Sequence, residues 1–113
     1  MTLLEETIED IKRNGHKISD IIFIGSEKSG HSCTWEEFTI LANQDYDSGY
    51  DAAKVAIDLL IIFSDGSSMY REEYDGSEWW EYIIPFIMPR NTQSIKSLFT
   101  KYVGWQDLAE INK

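Results

Sequence analysis

Cysteine is almost missing from this chain of 113 residues: Cys33 stands alone, so no internal disulfide can form, and a reducing, intracellular compartment is the expected home. Cations are scarce too. Ten Lys and Arg face twenty Asp and Glu, a net charge of −10, which argues strongly against direct binding of nucleic acid. No stretch approaches the ~20 apolar residues of a membrane-spanning helix. The opening MTLLEETIED also lacks the basic region and apolar core of a signal peptide, so no membrane association is expected. Only two histidines occur, His16 and His31. Neither sits in a nucleophile motif, and His31-x-Cys33, which with His16 or an acid as a third ligand is the one candidate set for a soft divalent metal, lacks the paired CxxC or HxxxH spacing of a structural zinc site. No catalytic residue, metal or cofactor is expected, and the chain is not read as an enzyme.

What is present is ample for a core. Hydrophobic residues make up 42% and aromatics 13% of the chain, which argues against disorder, and its length suits one domain spanning residues 1–113. That domain is organised around Val55 to Phe86. Here three strand-like runs are separated by Asp65-Gly66 and Asp75-Gly76, each a two-residue type I′ turn signal. The resulting three-stranded meander has a predicted register that pairs Phe63 with Ser68, Ile61 with Tyr70, Glu72 with Trp79, and Met69 with Tyr82. One face then carries Leu60, Ile62, Met69, Trp80, Tyr82 and Ile84, with Asp58, Arg71, Glu73 and Glu78 at a wetter end. The other carries Leu59, Ile61, Phe63, Tyr70, Tyr74, Trp79 and Ile83, interrupted by Glu72 and Glu81. The first run, Ile57 to Phe63, apolar on both faces, should be central and the third nearer an edge.

Other apolar segments fall around this meander. Ile18 to Ile24 reads as a fourth strand. Two capping boxes, Thr2 with Glu5 and Thr34 with Glu37, start helices whose predicted stripes are Leu4, Ile8, Ile11 and Trp35, Phe38, Leu41. Ile95, Leu98, Phe99 and Tyr102 have helical spacing up to Gly104, and Trp105, Leu108 and Ile111 predict a last short helix. The expected fold class is α+β: a four-stranded, mostly antiparallel sheet, built as a β-meander plus one N-terminal strand and flanked by short helices.

Charge is concentrated rather than spread. Residues 36–81 hold twelve acids against Lys54 and Arg71, residues 1–35 net −2, and residues 82–113 net +2. The middle segment alone therefore equals the whole net charge, and such a field steers a basic partner as well as conferring solubility. Aromatics are interleaved with these acids: Tyr70, Glu72, Tyr74, Trp79 and Glu81 share one predicted face, and Asp45, Tyr46, Asp47 and Tyr50 lie in an acidic loop. Tyr and Trp give large rigid area with a polar tip, the chemistry of interface anchors. These nine residues are the candidate partner-binding set. The alternative for Trp79 and Tyr70 is burial under a helix. Trp80, on the opposite face, is expected in the core.

The run DLLIIFSDGSSMYREEYDGSEWWEYIIP, with the upstream IGS, TWEEF and DYDSGY pieces, resembles a group of small uncharacterised proteins encoded by phages and prophages of Gram-positive bacteria. The resemblance covers roughly residues 20–86, and its specific part is EYDGSEWWEY, Glu73 to Tyr82. The chain departs from the pattern at Ser67-Ser68-Met69, where tryptophans are expected in relatives. The resemblance implies an accessory product acting in the cytoplasm of a bacterial host cell. Anti-CRISPR proteins, often small and acidic, are the leading expectation, with a basic protein such as a CRISPR nuclease as partner. Other expectations are an immunity-type protein that neutralises a nuclease toxin, a phage accessory or structural protein, and a metal-binding protein. The residues leave the oligomeric state open.

Overall fold

The computed structural model describes residues 1–49, 52–85, 89–100 and 104–113. Both capping boxes form as the sequence predicts. Thr2 Oγ1 accepts from Glu5 N at 3.0 Å while Glu5 Oε1 accepts from Thr2 N at 2.9 Å, starting α1, Leu3–Arg13. Thr34 and Glu37 make the same reciprocal pair at the head of α2, Trp35–Leu41. Each box satisfies amides that have no partner inside the helix.

Four strands follow the predicted order in one antiparallel sheet: β1 Ile21–Gly25, β2 Leu60–Phe63, β3 Ser68–Tyr74 and β4 Ser77–Ile83, arranged β1-β2-β3-β4. β4 is an edge and β2 is internal, as its two-sided apolarity requires. β1 is shorter at its start than expected, because Ile18–Asp20 forms a 3-10 turn instead. Gly25 closes β1 against the following loop. A Cβ there would stand 2.0 Å from the His31 carbonyl oxygen, so only glycine admits the Gly25–Ser32 bridge.

The two hairpins behave differently. At Asp75-Gly76 both residues take positive φ, 51° and 87°, and the β3–β4 register has Glu72 opposite Trp79 and Met69 opposite Tyr82, as predicted from a type I′ turn. At the first hairpin only Gly66 has positive φ, at 88°. Gly66 N donates to Phe63 O and Phe63 N to Ser67 O, both at 2.9 Å, which closes a three-residue loop of Ser64, Asp65 and Gly66. The register therefore shifts by one: Ile61 pairs with Met69 and Ile62 with Ser68. A one-residue shift exchanges the faces of a strand, so Ile61 and Phe63 point into the core, both fully buried. Leu60 and Ile62 point outward, the reverse of the predicted assignment.

The core lies on one side of the sheet. Ile24, Ile61, Phe63, Met69 and Trp80 from the strands meet Ile11 of α1 and Phe38 of α2, with Ala42 just past α2. Trp35 stacks on Phe38 with ring centroids 5.4 Å apart. Leu41, predicted on that stripe, is exposed, and Ala42 is buried in its stead. α1 presents Thr7, Asp10 and Ile11 inward rather than Ile8, because the Trp80 indole donates from Nε1 to Thr7 Oγ1 at 2.9 Å. Ile57, expected in the first meander strand, lies before β2 and is exposed.

The C-terminal part departs most from the sequence reading. Residues 92–100 carry neither helix nor strand, and the one described helix there is α3, Leu108–Ile111. Tyr102, the end of the predicted stripe, lies outside the described residues. Ile95, Leu98 and Phe99 are exposed, since no described residue beyond Tyr82 joins the core cluster and an isolated helix of this length is marginal in water without a surface to bury. Asn112 instead ties the segment to itself, its Oδ1 accepting from Lys96 N at 2.8 Å and Ser97 N at 2.9 Å.

Candidate interaction surface

With α1 and α2 on one side, the other side of the sheet has no described helix over it. Strand alternation places Tyr70, Glu72 and Tyr74 of β3 beside Trp79 and Glu81 of β4 there, and the observed pairs Tyr70–Glu81 and Glu72–Trp79 put them in direct cross-strand contact. Phe23 and Ile62, paired across β1 and β2, continue this face with Leu60. Phe23, Leu60, Ile62, Tyr70 and Trp79 are each partly exposed, and Tyr74 is largely so. The Trp79 indole Nε1 donates to Glu81 Oε1 at 2.8 Å, which holds the ring against the sheet and leaves the carboxylate among aromatics.

Trp79 also lines a shallow cleft of about 720 Å³ with Glu6, Asp45, Tyr46, Asp47, Ser48 and Glu78. Asp45 is brought there by its bridge to Thr2 and Asp47 by the Asx turn in which its Oδ1 accepts from Gly49 N at 3.0 Å. Glu78 N donates to Ser48 O at 2.7 Å, which docks this acidic loop along β4. Of the nine candidate residues, Tyr70, Glu72, Tyr74, Trp79 and Glu81 thus share the sheet face, while Asp45 and Asp47 meet it at Trp79. Tyr50 lies outside the described residues.

Tyr46 is turned to another task. Its hydroxyl donates to Glu6 and accepts from Arg71 Nη2 at 3.0 Å. Burial, and then the bond to Glu6, push its pKa up to about 12, so it remains a donor at any ordinary pH. Arg71 and Glu78, assigned from sequence to a wet end, are both buried and joined by Nη2 to Oε1 at 2.9 Å. The Arg71 guanidinium also lies 4.9 Å from the Trp80 ring centroid, within cation–π range. Glu78 accepts from Lys54 N at 2.5 Å and Val55 N at 3.1 Å. Burial pushes its carboxyl pKa up, but the bonds from Lys54 N, Arg71 and Val55 N prevail and hold it below the usual value. The alternation that put Arg71 on the face of Met69 and Trp80 was the signal for this inward position. The residues that cover it, Tyr46, Lys54 and Val55, were not predictable from β-periodicity.

A second cluster surrounds His16. Its Nδ1 is 3.1 Å from Asp20 Oδ2, and its Nε2 is 2.8 Å from Tyr82 Oη and 3.0 Å from Ser67 Oγ, while its ring stacks on Phe63 at 4.0 Å. The Asp20 carboxylate only accepts, which places a proton on Nδ1. In the neutral ring Nε2 then accepts from the Tyr82 hydroxyl. Asp20, His16 and Ser67 have the connectivity of an orienter, base and nucleophile. Ser67, however, is fully buried and donates its hydroxyl to Asp65, so no substrate carbonyl reaches it and the cluster locks the first hairpin onto the loop after α1.

The structure does not gather His16, His31 and Cys33. His31 Nδ1 engages Ser29 Oγ at 2.7 Å, and burial, followed by Glu37, pushes the Cys33 thiol pKa up, away from the thiolate a metal needs. Among the described residues no group of three or more His, Cys, Asp or Glu is arranged to hold an ion. Protein prepared in chelator is therefore expected to melt at the same temperature as untreated protein, checked by differential scanning calorimetry. A drop in melting temperature reversed by one equivalent of zinc would contradict this.

No described helix is long and apolar enough to cross a membrane. No protein-family model matches the chain, and neither a curated protein nor a solved structure shows significant similarity to it.

Proposed function

We propose that this chain is a small acidic binding protein of phage type that docks on a basic protein and inhibits it, with a CRISPR nuclease the first expected partner. The observation that carries this reading is the open sheet face, on which Tyr70 and Trp79 stand between Glu72 and Glu81 and Trp79 runs into the cleft of Asp45 and Asp47. Rigid aromatics bordered by carboxylates suit a surface rich in Lys and Arg: the rings supply apolar area and cation–π contact, and the carboxylates accept charge-assisted hydrogen bonds. A nucleic-acid channel lined by cations offers that chemistry.

The two kinds of group have separable effects. Aromatic anchors set the dissociation rate, whereas peripheral charge sets association and partner choice. Trp79→Ala is expected to speed dissociation on the order of tenfold or more, with far-ultraviolet circular dichroism unchanged. Charge reversal at Asp45 and Asp47 is expected to slow association and flatten its salt dependence. The test is a pull-down from lysate containing CRISPR nucleases and other nucleic-acid enzymes, eluted by rising salt, followed by kinetics on the retained protein. Retention of one basic nuclease whose activity falls on binding supports inhibition. A toxin nuclease in its place favours the immunity reading. If nothing basic is retained at low salt, the charge serves solubility and the proposal fails.

A further inference from the structure

We propose that the open sheet face also receives a second copy of this chain, with residues 93–100 of each copy laid as an amphipathic helix across the sheet of the other. Two apolar surfaces have no partner among the described residues, and they are complementary. The sheet contributes Phe23, Leu60, Ile62, Tyr70 and Trp79, bordered by Glu72 and Glu81. The C-terminal segment contributes Ile95, Leu98 and Phe99, which are 57%, 67% and 83% exposed. Their spacing of three and four residues makes one helical stripe, yet the segment is not helical, as expected of such a stripe with nothing to bury against.

Charge favours the match. Residues 36–81 carry −10, whereas residues 82–113 carry +2, with Arg90 and Lys96 in or beside the apolar stripe. Two copies of net charge −10 repel as wholes. Screening beyond a Debye length of about 8 Å nevertheless leaves the local signs at the contact to decide.

The geometry points to another copy rather than to the chain's own sheet. No described residue past Tyr82 joins the core cluster, and the radius of gyration is 19.1 Å where about 13 Å is usual for a compact chain of this length. The exposed side chains of Ile95, Leu98 and Phe99 thus do not cover the sheet face of their own chain. Reciprocal exchange gives a closed twofold dimer in which both apolar surfaces are covered and none is left to propagate. The inference concerns the same face as the proposed function without resting on it. A basic partner would have to displace the second copy.

Sedimentation velocity on the full chain over a micromolar dilution series tests this. The expected result is a concentration-dependent dimer. Two full-length variants alter only partly or fully exposed positions: Leu98→Asp with Phe99→Asp in the segment, and Glu72→Lys with Glu81→Lys on the face. Each alone should weaken the dimer by about tenfold or more, with circular dichroism confirming the fold. Mixed in equal amounts they should recover a heterodimer, because the intact segment of one meets the intact face of the other. Three results would overturn the proposal: a wild-type chain monomeric at every concentration, a dimer indifferent to the Leu98 and Phe99 substitutions, or a mixture that stays monomeric. None of these depends on whether the pull-down retains a basic protein, so the two proposals fail separately.

Discussion

Trp80→Ala is expected to lower the stability of the fold by ~3 to 5 kcal/mol, against a total that for domains of this size is typically ~5 to 15 kcal/mol. Trp80 is 7% exposed and contacts the cluster that joins the sheet to α1 and α2, so truncation leaves a cavity as well as losing the transfer energy of the ring. It also removes the donor to Thr7 Oγ1 and the ring beneath the Arg71 guanidinium. Urea unfolding followed by circular dichroism measures the loss. Trp80→Phe keeps most of the area and loses the indole N–H, so it should cost a minor part of that amount, near the ~1 kcal/mol of one hydrogen bond. An unchanged midpoint for the alanine variant would place Trp80 on the surface and refute the assignment of faces in β4.

Glu78→Ala is the second large effect, with ~3 to 5 kcal/mol expected because the buried Arg71 loses its closest counter-ion. The Arg71 side chain is 2% exposed and its Nε has no hydrogen-bond partner among the described residues. Without Glu78 its hydrogen-bond partners among the described residues are Tyr46 at 3.0 Å and Glu6 at 3.5 Å. Replacing both members by apolar residues is often neutral for a buried pair, but here it should remain destabilising. Glu78 also receives the amides of Lys54 and Val55, which would be orphaned in either variant. Glu78→Gln, which retains one acceptor, should cost less.

The pH dependence has a definite sign. The folded pKa of Glu78 lies below its ordinary value of 4.5, so between the two values the unfolded chain binds more protons than the folded one. Stability from this group is complete above about 4.5 and is lost as pH falls through the lower, folded value. The stability gap between wild type and Glu78→Gln, read from urea midpoints, should accordingly be constant near neutrality and narrow below pH 4.5. A gap that widened on acidification would contradict the ion pair.

Local chemistry alone determined several features. Thr2, Thr34 and their glutamates cap helices through bonds confined to four residues, and Asp75-Gly76 sets its turn through backbone preference, so the β3–β4 register and the shared face of Tyr70, Glu72, Trp79 and Glu81 follow from sequence. The strand order follows equally, since only the first meander run is apolar on both sides. Tertiary contacts decided the rest. Asp65-Gly66 carries the same signal as Asp75-Gly76, but Asp65 binds Ser67, His16 contacts Ser67 and stacks on Phe63, and burial of Ile61 and Phe63 outweighs the intrinsic turn preference. The helical stripe of Ile95, Leu98 and Phe99 stays unfolded because periodicity specifies a face without supplying the surface it needs. Arg71 and Glu78, polar in any sequence scale, are buried because Tyr46, Glu6 and the amides of Lys54 and Val55 converge from distant parts of the chain to replace water, and only the folded chain brings those groups together.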